Sequence, residues 1–336
     1  RVLQTYLPYD LPYAVRRFLR AFQPVIAISV ETKAWPNLVA IATEQRIPMA
    51  LVNGRLSERS YRLSRRYTAL MRETAARFSL ALAQTGADAN RIRQVGATNV
   101  EVTGNMKFDF APDEAQIARG KAWRRSLGER PVWVFASTRE GEEAMIVDAL
   151  PERLDAMVVI VPRHPQRFDE VADLIEARGL ALVRRSRSNF EANHKSDIFL
   201  GDSMGEMTLY YAAADLAFIG GSLLNLGGRS LIEANAVGTP VVIGPHTFNF
   251  EQATHDAIEA GAAVRVASAA EAVATMTSVA NDRPRHHQMS EAALKFAGAH
   301  RGATARTLAR LAPLIEAAPV AGWVGSASPG VESPGR

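Results

Sequence analysis

Three stretches of the sequence hold residues whose types and spacing suit the binding of an anion. Pro162-Arg163-His164-Pro165 sets a guanidinium between prolines, a planar and permanently charged fork that matches a phosphate. The same tetrapeptide reads equally as a surface turn with an incidental arginine, and His164 reads as an orienting or packing residue rather than an acid or base. Gly201-Asp202-Ser203-Met204-Gly205-Glu206-Met207 leads into a helical run. Asp202 or Ser203 is placed to cap that run, and N–H groups in its first turn are placed to meet an anion or a nucleotide. Glu206 there also serves simply to complement the helix dipole. Gly220-Gly221-Ser222 and then Gly227-Gly228-Arg229-Ser230-Leu231-Ile232-Glu233 join glycines, a helix start and an acid. Glycines let backbone amides approach a phosphate closely, and a carboxylate at Glu233 is suited to accept both hydroxyls of a ribose. A tight structural turn is the alternative.

Each of these stretches follows a short apolar run. Strands are expected at 24–30, 48–52, 80–84 and 100–103, then at 132–136, 157–161, 197–200, 216–219, 241–243 and 263–266. Near-continuous apolar strands alternating with helix-period segments predict parallel sheets covered on both faces. The α/β pattern occurs twice, which predicts two Rossmann-like, doubly wound domains facing across a ligand cleft at the carboxyl ends of their strands. The expected division is 1–110 for a first domain, 111–130 for a linker, 131–316 for a nucleotide-binding domain and 317–336 for a tail. That tail is rich in Ala, Gly, Pro and Ser and reads as disordered. A glycine loop, helix and acid followed by a strand and Gly244-Pro245 fit the nucleotide half of a GT-B glycosyltransferase.

The 336 residues suffice for two cores, and 47% hydrophobic with 22% charged residues is ordinary for a globular protein. With no cysteine, disulfides, thiolate zinc sites and cysteine nucleophiles are excluded. No apolar run approaches the roughly 20 residues that span a bilayer. Residues 1–110 hold 16 Lys/Arg and 8 Asp/Glu, a net of +8, and the rest hold 23 and 27, a net of −4, together the overall +4. The basic residues gather at Arg16, Arg17 and Arg20, and again at Arg55, Arg59, Arg62, Arg65, Arg66 and Arg72. Such a half faces nucleic acid, an anionic lipid surface, or only water around a solvated helix face.

Further motifs run collinearly with these: Tyr6-Leu7-Pro8-Tyr9-Asp10-Leu11-Pro12, Glu31-Thr32-Lys33-Ala34-Trp35-Pro36-Asn37, Asn53-Gly54-Arg55-Leu56-Ser57, Gly104-Asn105-Met106-Lys107-Phe108-Asp109 and Ala136-Ser137-Thr138-Arg139-Glu140-Gly141-Glu142-Glu143. With Gly-Pro-His-Thr-Phe-Asn-Phe at 244–250 they resemble the 3-deoxy-D-manno-octulosonic acid (Kdo) transferases of lipid A biosynthesis, from about Tyr6 to about residue 300. The resemblance implies inverting transfer of Kdo from CMP-Kdo to a glucosamine hydroxyl of lipid A precursor, without a metal or other cofactor. It also implies that Pro162, Arg163, Gly205, Glu206, Met207, Ser230, Leu231, Ile232 and Glu233 hold CMP, and that Glu31 and Lys107 act at the transition state. Partners are then CMP-Kdo, the lipid A precursor and the anionic cytoplasmic face of the inner membrane, with no nucleic acid.

The chain departs from that pattern at Lys33, where the family has a second acid, at Arg139, where it has His, and at Arg229-Ser230-Leu231-Ile232, where it has H-N-P-L. The chain opens at Arg1-Val2-Leu3 without a methionine, which leads to the expectation of a first domain entered part-way. The family's general base, a Glu in an S-x-G-E loop ahead of the Tyr6 motif, is then expected to be missing and residues 1–336 alone to be nearly inactive. Two other readings stand beside this one: a UDP-sugar GT-B enzyme or nucleotide-sugar epimerase, and a non-catalytic module that binds a CMP-sugar or an anionic lipid.

Overall fold

The computed structural model describes residues 2–31, 35–64, 68–188, 190 and 196–317. The expected tail, Lys33, Arg65 and Arg66 fall outside those residues, Ala317 apart. The chain divides into two compact units, residues 1–106 with 302–336, and residues 107–301.

In the first unit the order is α1 (Pro12–Phe22), β1 (Ala27–Val30), α2 (Pro36–Glu44), β2 (Met49–Gly54), α3 (Glu58–Ser64), α4 (Thr68–Ala76), β3 (Leu80–Ala83), α5 (Gly86–Val95) and β4 (Val100–Val102). The four strands pair in parallel in chain order, β1-β2-β3-β4. Alternate residues of the two central strands point to opposite faces. Met49, Leu51, Ala81 and Ala83 meet Val15 and Leu19 of α1, Val39 and Ala42 of α2 and Ile92 of α5. Ala50, Val52, Leu80 and Leu82 face the other way.

The second unit runs α6 (Glu114–Ser126), β5 (Val132–Thr138), α7 (Glu142–Ala149), β6 (Met157–Pro162), α8 (Phe168–Ala177), β7 (Leu182–Arg184), β8 (Ile198–Leu200), α9 (Met207–Ala213), β9 (Leu216–Ile219), α10 (Ile232–Ala236), β10 (Val241–Ile243), α11 (Glu251–Glu259), β11 (Ala263–Arg265), α12 (Ala269–Ala280) and α13 (Arg283–Ala299). Its seven parallel strands are ordered β11-β10-β9-β5-β6-β8-β7. Val132, Val134 and Ala136 of β5 enter one apolar core, and Trp133 and Phe135 enter the other. The sheet is therefore dry on both faces, as parallel pairing with crossover helices requires. All ten strands expected from apolar runs are present. The one missed is β7, three half-buried residues leading into Arg185 and Arg187, too short and too basic to register as an apolar run.

Two boundaries differ from the expectation. Residues 114–126 are not linker but α6, capped by Asp113, whose carboxylate accepts from the amides of Ala115 and Gln116. Its Trp123 is buried among Phe190, Phe199 and Tyr210 of the second unit. Residues 303–316, expected in the nucleotide-binding domain, form α14 (Ala303–Glu316), which returns to the first unit. There Leu311 and Leu314 cover Ala50, Val52, Leu80 and Leu82, Arg306 donates to the Thr103 carbonyl at 2.9 Å, and Arg310 pairs with Glu101 at 2.7 Å. An amphipathic helix shows that it must be covered; only the complementary face decides by what.

α6 packs on α9 through Gly120, where an added Cβ would lie 2.4 Å from the Leu209 carbonyl oxygen and 2.9 Å from Ala212 Cβ. Gly120→Ala must push the helices apart, and a loss of roughly 1–3 kcal/mol is expected, read as a lowered thermal midpoint. Gly298→Ala, in α13 with nothing within 4 Å of the new Cβ, is the control and should hold or raise the midpoint.

Candidate functional site

Strand order in the second unit reverses at β5. From it the chain moves one way through β6 and its neighbours and the other way through β9, β10 and β11. The crevice at the carboxyl ends of β5 and β9 is therefore the topological switch point, where open α/β sheets take ligands.

A side chain of the protein already spans this crevice. After β5 the chain turns through Arg139, Glu140 and Gly141, and α7 begins at Glu142. The Glu142 carboxylate is wholly buried and accepts from the amides of Gly221 at 2.6 Å, Leu223 at 3.0 Å and Arg139 at 3.0 Å. Gly220 donates to the Ala136 carbonyl at 2.8 Å, and a Cβ there would lie 2.6 Å from the Ser137 carbonyl oxygen. The buried Ser222 hydroxyl donates to the Ile219 carbonyl and accepts from the Gly244 amide at 2.9 Å. The expectation that Gly220-Gly221-Ser222 offers free amides to a phosphate is thus corrected: the Gly220 amide goes to a carbonyl, and those of Gly221 and Leu223 to a resident carboxylate. Glu143, also wholly buried, holds Arg167 through both carboxylate oxygens at 2.9 Å.

Charge for an incoming anion comes from arginines at the ends of three adjacent strands: Arg139 after β5, Arg163 after β6 and Arg229 in the loop after β9. The Arg163 amide donates to the Thr138 carbonyl at 3.0 Å, and the Gly228 amide to the Gly221 carbonyl at 2.7 Å. Elsewhere in this unit Arg119, Arg124, Arg167, Arg178, Arg184 and Arg185 each pair with a carboxylate. Among the described residues, Arg139, Arg163 and Arg229 have no such ion pair. Burial, and then the charges of Arg163 and Arg139, hold the Arg229 guanidinium below its ordinary value. Partial burial and the charges of Arg139, Arg163, Arg229 and Arg167 hold His164 down in the same way. Burial raises the Glu233 carboxyl, with Arg163 opposing.

The residues singled out from sequence thus separate by role. Arg163 and Glu233 come together with Arg229. Pro162, Leu231 and Ile232 are buried: Pro162 ends β6, and Leu231 and Ile232 sit in the apolar core, leaving Ser230 and Glu233 half-buried at the start of α10. Gly205 and Glu206 lie on the turn after β8, and Met207 begins α9. Glu206 is held by Arg185 at 2.8 Å, Ser203 at 2.6 Å and Arg119 at 3.2 Å. Burial would raise its pKa, but the hydrogen bonds from Arg185 and Ser203 hold it below the usual carboxylate range. Neither Asp202 nor Ser203 caps α9, whose N-cap residue is Glu206, with no side-chain cap. Asp202 is drawn instead to Arg184 at 2.7 Å and to the amide and hydroxyl of Ser186 at 2.7 and 2.6 Å. Glu31 belongs to the first unit, where it follows β1 with φ 61° and donates its amide to the Val52 carbonyl at 2.9 Å. A left-handed backbone at a non-glycine residue costs about 1–3 kcal/mol and gathers at functional positions. Lys107 belongs to the second unit, exposed, with its ammonium 5.9 Å from the Phe250 ring centre. Sequence reasoning missed Glu142 and Glu143 as organisers. Two adjacent acids at a strand-to-helix turn were the available signal.

Residues 1–110 match the family described as 3-deoxy-D-manno-octulosonic-acid transferase (kdotransferase), and residues 170–296 match glycosyl transferases group 1. The chain is 48% identical over 313 residues to the 3-deoxy-D-manno-octulosonic acid transferase of Bordetella pertussis, covering 91% of this chain and 73% of that one. It is 33% identical to the corresponding transferase of Haemophilus influenzae, covering 94% and 75%. The C-terminal CMP-Kdo binding domain of WaaA from Acinetobacter baumannii superposes with a TM-score of 0.52 at 31% identity, over 55% of this chain and 98% of that domain. Anabaena Alr3699/HepE in complex with UDP shares the fold at 16% identity, with a TM-score of 0.56 over 90% and 82%.

Glu142→Ala would leave three backbone amides without their partner, two of them buried, and a loss of roughly 3 kcal/mol or more is expected in denaturant unfolding. The His164 imidazole should titrate below its ordinary 6.5. Because removing a neighbouring positive charge favours the protonated ring, Arg139→Gln should move that midpoint upward in an NMR titration; an unmoved midpoint would contradict the cluster.

Proposed function

This chain belongs to the 3-deoxy-D-manno-octulosonic acid (Kdo) transferase family, glycosyltransferases of lipopolysaccharide biosynthesis, and on that premise we propose that it moves Kdo from CMP-Kdo to a glucosamine hydroxyl of a lipid A precursor with inversion. The observation that carries the donor half is the arginine trio at the switch point beside Glu233, in a unit 31% identical to a CMP-Kdo binding domain. Arg163 and Lys107 neutralise the phosphate as it departs, and Glu233 receives the ribose hydroxyls. Gly205 to Met207 and Ser230 to Ile232 supply backbone around the nucleotide.

In the transfer, the acceptor oxygen bonds to the anomeric carbon while the bond from that carbon to the phosphate oxygen breaks, its electron pair leaving with CMP. The hydroxyl proton passes to a general base outside the residues assigned here. Glu31 stabilises the positive character that develops on the sugar. The permanent charge of Arg163, with Lys107, stands at the phosphate where other sites hold a divalent cation, so the transfer is read as metal-independent. The net +8 over residues 1–110, with Arg16, Arg17 and Arg20 on α1, suits a peripheral position on the anionic cytoplasmic face of the inner membrane.

The test is Kdo transfer from CMP-Kdo to lipid A precursor by the protein, with and without EDTA. Arg163→Ala and Glu31→Ala are each expected to cost roughly a hundredfold, while EDTA changes nothing. Undiminished transfer by both variants would overturn the site, and thermal stabilisation by UDP but not by CMP would overturn the choice of nucleotide.

A further inference from the structure

We propose that Arg139 and Arg229 form a subsite for the carboxylate of the donor's acidic sugar, beside a phosphate subsite at Arg163. The inference rests on the CMP-sugar reading above and assigns the two positions at which arginine replaces the residue that the family resemblance leads one to expect.

The geometry begins with Gly221. A Cβ built there would lie 3.6 Å from Arg139 Cγ and 3.7 Å from Gly228 Cα. The Arg139 stem and the residue before Arg229 therefore flank the same glycine, whose carbonyl and amide are fixed by Gly228 and Glu142. Glu142 also fixes the Arg139 amide. The backbone of Arg139 and that of the residue before Arg229 are thus hydrogen-bonded in place before a ligand arrives.

The order of the charges gives direction. Among the arginines, Glu233 is influenced by Arg163, while Arg229 is influenced by both Arg163 and Arg139. Of the three guanidiniums, Arg163 is the one whose charge is felt at Glu233, so the phosphate beside the ribose is assigned to Arg163 and the second anion to Arg139 and Arg229, which flank Gly221. A phosphodiester carries one negative charge and leaves most of three clustered guanidiniums uncompensated. A neutral sugar would leave that repulsion in the bound state. A sugar acid whose carboxylate sits on the anomeric carbon, one atom from the phosphate ester oxygen, brings a second anion to the far side of the phosphate. Carboxylate and guanidinium match as bidentate partners.

Two small ligands isolate the carboxylate: the methyl ester of CMP, and the carboxymethyl ester of CMP, which differ by that group alone. Titration calorimetry with the 336-residue chain should show the carboxymethyl ester binding at least about tenfold more tightly. Arg139→Gln and Arg229→Gln should each remove most of that preference and leave the methyl ester within about threefold of its wild-type affinity, at an unchanged thermal midpoint. Arg163→Gln should weaken both esters together. Equal binding of the two esters by the wild-type chain would overturn this inference and leave the nucleotide reading intact. So would equal losses for both esters in the Arg139 and Arg229 variants, which would make these residues phosphate ligands. Binding of neither ester would sink the nucleotide reading and this inference with it.

Discussion

A buried carboxylate that receives three backbone amides holds together the loops at the carboxyl ends of β5 and β9. Glu142 stands where strand order reverses, in the position that a ligand phosphate occupies in many doubly wound sheets. Its oxygens bind the loops after β5 and β9 to each other. Ser222 then ties the loop after β9 to the one after β10, and Glu143 holds Arg167 beneath the Pro162-Arg163-His164-Pro165 turn. Because a buried amide without a partner costs about 1–3 kcal/mol, these loops have little freedom to rearrange around a ligand. The glycines allow the close approach; the acid determines which shape results.

That internal anion has a consequence for ligand binding. Amides satisfied by Glu142 are not free to serve a phosphate as well. Two groups of arginines in this unit differ in their surroundings. Arg167, Arg184 and Arg185 are neutralised by carboxylates and knit the structure. Arg139, Arg163 and Arg229 crowd one another instead, and their mutual repulsion is sustained by the surrounding fold. A cluster of like charges held in place by its backbone favours a ligand with more than one negative charge.

Side chains of several family-like motifs hold neighbouring parts of the chain in position. The side chain of Asn53 accepts from the Met106 amide at 3.0 Å and so sets the course of the chain leading to Lys107. Asp88 accepts from the Leu56 amide at 2.9 Å and shapes the turn after β2. Asp202 and Glu206 are occupied by Arg184, Arg185 and Ser186. A short motif carries a residue type and a spacing, and both are compatible with either role until the hydrogen-bond partners are known.

From the sequence alone, ten of the eleven strands, the parallel character of both sheets, and Arg163 and Glu233 as ligand candidates were legible. Apolar runs and the glycine and proline punctuation between them are local quantities, and strand formation responds to them directly. The strand order, the return of α14 to the first unit, the assignment of α6 to the second and the pairing of Glu142 with the glycine loop were not legible. Each depends on residues far apart in the chain meeting at one place, such as Glu142 with Gly221 and Leu223, or Leu311 with Val52 and Leu80. Of the stretches that stood out by composition, two therefore kept an arginine as a candidate, Arg163 and Arg229, and the glycine loop lost its free amides at Gly220 and Gly221. Which polar group satisfies which is settled only when the tertiary structure removes water from both.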